Sequence, residues 1–219
     1  MRLTTYGSMV GIARENLDLA LKCQETVDTL CKTLENLKGD DASCFYSQKL
    51  APVENKLSNY CVVTIVFSAL AVEGYIYDYA ARKLTDNFVE EHIDKLKVIS
   101  KYIVVTKLVT GKDFPKDGKA YQMLKQLISN RNYIVHSKSA NLMKPDAEAE
   151  LAKLTKEDLL KDLPALLYSK KANDMRTFED SLLKNAQEAI IALDELAVVM
   201  KDLDPDEHMA AHLSRNSDL

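Results

Sequence analysis

Residues 58–84, SNYCVVTIVFSALAVEGYIYDYAARKL, contain the longest apolar run of the chain. Apolar side chains recur in it every three or four residues, which is the spacing of one face of an α-helix. Glu73 falls near the centre of that face, seven residues after Val66 and four before Tyr77. The segment therefore predicts a buried core helix with one carboxylate in its apolar face. The predicted face comprises Val62, Val66, Ala69, Leu70, Ile76, Tyr77 and Ala80.

A second segment, residues 121–139 (YQMLKQLISNRNYIVHSKS), carries the opposite charge in the same setting. Arg131 lies three residues after Ile128 and seven after Leu124, so it projects from the middle of a predicted apolar stripe. Burying a guanidinium without a partner costs several kcal/mol. Either solvent reaches this face of the helix, or an acidic side chain packs against Arg131. Glu73 is the predicted partner, and if the two pair in a largely buried face, Glu73→Ala is expected to destabilise the fold by several kcal/mol.

The predicted pair has two interpretations. It is either a structural ion pair between two core helices or one wall of an active site, because perturbed charges mark both kinds of place. The periodicity of the two segments does not decide between them.

The rest of the chain also predicts helices, separated by short links. The first runs from about Met9 or Asn16 to Leu37, and a loop follows over residues 38–51. Pro52 suits the start of the second helix, which ends near Leu84. The other predicted elements are a third helix over 87–109 with Thr85 and Asp86 as caps, whose end YIVVTKLV also fits a strand; a fourth over 121–136; an interrupted one over 147–170; and a last one from about Asn173 to Leu203.

These elements predict an all-α bundle of about five to seven helices. The 219 residues are 47% hydrophobic, and only 6 Gly and 5 Pro argue against the many tight turns of an all-β protein. We expect a single helical domain over residues 1–203 and a polar, frayed tail over 204–219.

Composition limits the partners and the compartment. The net charge of −4 argues against broad binding to polyanions, so nucleic acid needs a local basic patch, for which the candidates are Lys119, Lys125, Arg131 and Lys138. The four cysteines form no C-x-x-C pair, which favours reduced thiols. Without an apolar leader, and with an apolar run too short to span a bilayer, we expect a cytoplasmic protein that makes no membrane contact.

The segment RNYIVH carries a motif: Arg131, the polar Asn132, three further residues and His136. This pattern on a late helix of a helical bundle resembles the HEPN superfamily. Glu73, in the context SALAVEGYIYDYAARKL, matches an acidic residue often present in an earlier core helix of that family. The resemblance covers about residues 55–140. One departure is Lys138, which stands where some toxin members carry a tyrosine that an antitoxin modifies.

The resemblance implies metal-independent RNA cleavage at a homodimer interface, without a cofactor, by a toxin or defence protein that has an antitoxin partner. The implied catalytic set is Arg131, His136, Asn132 and Glu73. The 2′-OH of RNA is the nucleophile and His136 the general base or acid, because imidazole titrates near neutral pH. Arg131 holds the charge on the phosphorane, Asn132 positions a phosphate oxygen, and Glu73 orients the arginine.

Helix geometry separates the two principal residues of that set. Arg131 and His136 lie about 140° apart on a straight helix, so a shared site needs a long arginine reach, an unwound turn or a second chain. The alternative is a non-catalytic interaction or nucleotide-binding module, in which His136 caps the helix and Glu73–Arg131 is structural. Two weaker features are His208 and His212, spaced as metal ligands in a polar tail, and Tyr75, Tyr77 and Tyr79, which suit core packing better than base stacking.

Overall fold

The computed structural model describes residues 5–136 and 177–214, and every regular element in those ranges is a helix. The predicted all-α class is confirmed. The chain divides into two compact units, the first comprising Met1–Val135 and Leu183–Leu219, the second His136–Leu182. The helical stretch predicted for 147–170 and the predicted helix start near Asn173 lie outside the described residues, as does Lys138.

The helices follow one another closely along the chain. A π-helical segment joins α2 to α3, so that residues 39–84 form one continuous helix. The elements are α1 (Tyr6–Leu34), α2 (Gly39–Phe45), the π-helical segment Tyr46–Leu50, α3 (Ala51–Leu84), α4 (Asp86–Phe88), a second π-helical segment Val89–Ile93, α5 (Val98–Thr110), α6 (Lys119–Val135), α7 (Leu182–Leu203) and the 3-10 helix His208–Leu213.

α3 is the central helix, because α1, α5 and α6 all pack against it. Its interface with α1 is the most extensive among the described helices, and Gly74 permits the close approach: a Cβ there would lie 3.3 Å from the Cβ of Tyr6. Buried side chains consequently surround α3 instead of forming the single predicted stripe. Leu70, predicted to face inward, is 36% exposed, whereas Tyr75 and Tyr79 are fully buried.

The loop predicted over residues 38–51 is wrong. Gly39 adopts a positive φ of 57° and starts a new helix directly. Asp40 and Asp41 occupy its first turn, where carboxylates stabilise the helix N-terminus. No Gly or Pro follows before Pro52, so nothing in this stretch breaks the helical path.

The single helix predicted over 87–109 is broken into shorter elements. Thr85 does cap α4 as predicted, its Oγ1 accepting a hydrogen bond from the Phe88 amide at 3.4 Å. Residues 94–97 then leave the helical path before α5 begins. The ambiguous YIVVTKLV stretch is helical, because Tyr102, Val105 and Thr106 are buried at helical spacing.

The last long helix buries the apolar side chains that its periodicity predicts, among them Leu182, Ala186, Ile190, Leu193, Leu196 and Met200. The prediction of a frayed tail is wrong over residues 204–214. Glu207 is 2% exposed and Leu213 is fully buried. Arg82 forms two hydrogen bonds with the Glu207 carboxylate at 2.8 and 2.9 Å, and Arg14 donates to the Leu213 carbonyl at 3.1 Å. Residues 215–219 lie outside the described part of the chain.

The continuous helix Gly39–Leu84 is long and apolar enough to cross a membrane by length and composition alone. The sequence-based expectation considered only its uninterrupted apolar run. Half of the helix's most apolar window is buried inside the protein, and core helices of soluble proteins meet the same criterion. The helix is thus weak evidence for a membrane span.

Candidate functional site

A groove with a volume of about 660 Å³ lies where α3, the start of α5 and α6 meet. We call it the α3–α6 groove. α3 contributes Glu73, and α6 contributes five residues between Lys125 and Asn132. The polar residues that line it are Glu73, Lys97, Ser100, Lys125, Ser129, Arg131 and Asn132. Three of the four residues implied by the sequence motif therefore share one groove.

The predicted ion pair spans the groove. Arg131 Nη2 donates to Glu73 Oε2 at 3.2 Å, which links α6 to α3. The arginine side chain is 20% exposed and the glutamate side chain 38% exposed. Glu73 thus lies towards the edge of the buried surface of α3, and the pair is partly buried.

The guanidinium of Arg131 is only partly used by this contact. Its Nε is buried and has no hydrogen-bond partner among the described residues, while one terminal nitrogen bonds Glu73. A guanidinium carries five N–H donors in a fixed plane. The remaining terminal donors are available to an anion in the groove, and the carboxylate restrains the direction in which they point.

A buried tyrosine links two of the helices that border the groove. The Tyr102 hydroxyl donates to the backbone carbonyl of Val72 at 2.7 Å, which ties α5 to α3 beside Glu73. Complete burial, followed by the nearby charge of Glu73, raises the pKa of Tyr102 well above its ordinary value. The Tyr102 hydroxyl therefore stays protonated as a hydrogen-bond donor.

Positive charge predominates in the groove. Among the described residues that line it, Lys97, Lys125 and Arg131 stand against one carboxylate, Glu73. Within the described ranges no side chain caps the N-terminus of α5, whose first-turn residues 98–100 also line the groove. Free N–H groups at a helix N-terminus favour anions. The combination suits a phosphate group.

His136 lies immediately after the last residue of α6, in a turn, and its side chain is exposed. The predicted helix end at residue 136 is thus one residue too long. Asn132 is also exposed, on the rim of the groove. His136 is not among the residues that line the α3–α6 groove, and it belongs to the second unit.

The predicted basic patch is only partly assembled. Lys125 and Arg131 line the groove, whereas Lys119 faces α7 and pairs with Glu195 at 2.6 Å. Sequence reasoning missed Lys97, together with Ser100 and Ser129. Lys97 comes from the break before α5, which the predicted continuous helix did not include.

The two weaker sequence features lie elsewhere. The Tyr75 ring packs edge-on against Tyr6 at 5.6 Å and stacks on Tyr79 at 6.1 Å, so two of the three tyrosines serve the core, as predicted. His208 and His212 lie on the C-terminal 3-10 helix. Across residues 5–136 and 177–214, no three His, Cys, Asp or Glu side chains form a group that could hold a metal ion.

Comparison with protein-family models, with curated protein sequences and with solved structures finds no match to this chain. Any proposal about function therefore depends on the chemistry of the α3–α6 groove and on the RNYIVH motif at the end of α6.

Proposed function

We propose that this chain is a metal-independent endoribonuclease that holds the RNA backbone in the α3–α6 groove. The observation that carries the proposal is the convergence of Lys97, Lys125 and a Glu73-oriented Arg131 in one groove. Cationic side chains with free donors bind phosphate oxygens through charge-assisted hydrogen bonds. Exposed Asn132 on the rim adds a neutral donor and acceptor to the same surface.

The proposed reaction uses the nucleophile already present in RNA. A base takes the proton of the 2′-OH while the 2′-oxygen attacks the adjacent phosphorus, and the bond from phosphorus to the 5′-oxygen breaks. An acid returns a proton to the leaving 5′-oxygen. The products are a 2′,3′-cyclic phosphate and a 5′-hydroxyl, with no change of oxidation state.

The residue roles follow from side-chain chemistry. Arg131 stabilises the additional negative charge of the phosphorane, the kind of interaction that contributes most in such reactions. Glu73 is a positioning residue, since its contact is with Arg131. His136 is the general base or the general acid, the second role falling to His136 of the other chain or to water, and its solvent exposure suits proton exchange.

A homodimer is part of the proposal. On an ideal helix Arg131 and His136 would lie about 140° apart, so we propose that two chains related by a two-fold axis supply the two residues to one RNA strand. Light scattering of the purified protein is expected to give about twice the chain mass of 24.6 kDa. A monomer that still cleaves RNA contradicts the composite site.

The test compares wild type, Arg131→Ala, His136→Ala and His92→Ala on one fluorescent RNA in chelator. His92 is an exposed histidine on the second π-helical segment and serves as the matched control. We expect cleavage by wild type and His92→Ala, and rates lower by about 100-fold for the other two. A 2′-deoxy residue at the cleavage position is expected to block the reaction.

Two results would contradict the ribonuclease proposal. If wild type and His136→Ala cleave RNA at equal rates, the activity does not come from this site. If wild type cuts none of a broad set of RNAs, the second candidate is favoured: a non-catalytic binding module in which Glu73 and Arg131 stabilise the fold. The observation favouring that candidate is the ion pair itself, because Arg131 already has a charged partner without substrate.

A further inference from the structure

A second cavity, of about 430 Å³, lies between α6 and α7. Its α6 residues alternate with those of the α3–α6 groove, so that the two cavities are on opposite faces of the same helix. Met123, Leu127 and Ala189 form apolar walls. Most of the polar residues that line the cavity carry carboxamides: Gln122, Gln126, Asn130 and Asn185. We call this cavity the carboxamide pocket.

Two of these carboxamides are buried with hydrogen-bonding capacity unused. Asn185 is 9% exposed, its side chain makes no hydrogen bond within residues 5–136 and 177–214, and its polar atoms are not fully buried. Asn130 is 5% exposed; its Oδ1 accepts from Gln126 Nε2 at 2.8 Å, while its Nδ2 donates to no described residue. The Asn185 carboxamide lines the cavity with its donors and its acceptor unused, so it is open to a molecule bound there.

The charges around the pocket are neutralised by one another. Lys119 contacts Glu195 at 2.6 Å, and Glu188 lies 3.8 Å from Lys184. The interior consequently offers neutral donors and acceptors between apolar walls. This chemistry selects an uncharged polar group with flat apolar faces.

We infer that the carboxamide pocket binds a nucleobase, with adenine preferred. A carboxamide presents a donor and an acceptor side by side, which pairs with N7 and the N6 amino group of adenine. Asn185 supplies that pair, and the apolar walls contact the ring faces. The volume is within the range of small-molecule sites. Binding here goes beyond the proposed ribonuclease, because the pocket is on the other face of α6 and requires no cleavage.

Two kinds of ligand would present an adenine base to this pocket: a free nucleoside or nucleotide, and an adenine within single-stranded RNA. Calorimetric titration of the full chain with adenosine, uridine and a short single-stranded oligoadenylate separates them. Adenosine is expected to bind at least about tenfold more tightly than uridine. Binding of the oligoadenylate without binding of adenosine assigns the pocket to RNA.

Asn185→Ala is expected to weaken adenine binding by about tenfold or more. Asn185→Asp keeps the size but removes the amide donors, and is expected to lose binding as well. Asn55→Ala, an exposed helical asparagine on α3, is the matched control and should bind as wild type does. Because Asn185 has no described partner, its alanine variant should melt at the wild-type temperature without ligand.

Three results would overturn the inference. They are absence of binding by both adenosine and oligoadenylate, equal binding of adenosine and uridine, and equal adenine binding by Asn185→Ala and Asn55→Ala. An Asn185→Ala protein that does not fold shows that the side chain is structural and also overturns it.

Discussion

Arg131 on α6 donates a hydrogen bond to Glu73 on α3 over 3.2 Å, at an edge of the core that solvent still reaches. An ion pair in this position contributes far less to folding stability than a fully buried pair does. Water screens the attraction and solvates the partner that remains after a mutation. The pair orients Arg131 more than it stabilises the fold.

The first prediction concerns the stability of this pair. Glu73→Ala is expected to lower the free energy of unfolding by about 1 kcal/mol, less than the several kcal/mol expected for a buried pair. A double-mutant cycle with Arg131→Met, measured by urea denaturation, is expected to give a coupling energy of about 0.5–1 kcal/mol. A loss above about 3 kcal/mol for Glu73→Ala would show that the pair is effectively buried.

The ion pair at the other end of α3 should behave differently. The Glu207 side chain is 1% exposed, and Arg82 bonds both of its carboxylate oxygens. Arg82→Ala leaves that carboxylate buried without its cation, so we expect destabilisation of about 3–5 kcal/mol in urea. Lys184→Ala removes only an exposed 3.8 Å contact and should change stability by less than about 0.5 kcal/mol. Similar losses for the two variants would contradict this account.

The third prediction tests the lysines of the groove, given RNA as substrate. Lys97→Ala and Lys125→Ala are expected to raise KM or Kd while leaving kcat nearly unchanged, since both side chains contact the backbone at a distance from the reaction. Each should reduce the slope of log Kd against log salt by about 0.7. Lys22→Ala, an exposed lysine on α1, is the control. Unchanged slopes for both groove variants would show that RNA does not bind in the α3–α6 groove.

The fourth prediction concerns acid stability. Burial acts to raise the pKa of Asp204, but hydrogen bonds from Lys83 and Tyr79 outweigh it and lower that pKa. A carboxyl whose pKa is lowered by folding adds stability above its unfolded pKa, about 3.9, and loses it as pH falls through the folded value. The free energy of unfolding should therefore decline below about pH 4.

Asp204→Asn should flatten that decline and be less stable than wild type at neutral pH, since it loses the charged contact with Lys83 at 2.8 Å. Asp202→Asn, at an exposed neighbouring position, should keep the wild-type profile. Denaturation curves at several pH values provide the measurement. Identical profiles for Asp204→Asn and wild type would assign the acid sensitivity to other carboxyl groups.

The helical class, the inward face of α7 and the meeting of Glu73 with Arg131 could all be predicted from the sequence. Each depends on local periodicity, or on the rule that a charge in an apolar stripe requires an opposite charge. The same local rules gave wrong burial predictions for residues whose surroundings come from distant parts of the chain. Leu70 is exposed and Tyr75 is buried because three helices pack around α3. A prediction of one apolar face cannot describe a helix that is packed on several sides.

The groove and the carboxamide pocket both depend on residues far apart in the chain. Lys97 reaches the groove because the path leaves the helix before α5, and Asn185 reaches the pocket because α7 lies against α6. Glu207 is buried because Arg82, on a helix 125 residues earlier, holds the C-terminal segment in place. Local propensity determined which residues are helical, since backbone hydrogen bonds and side-chain spacing act over a few residues. Long-range packing determined which polar side chains meet, because those pairings arise only when separate helices bury their surfaces together.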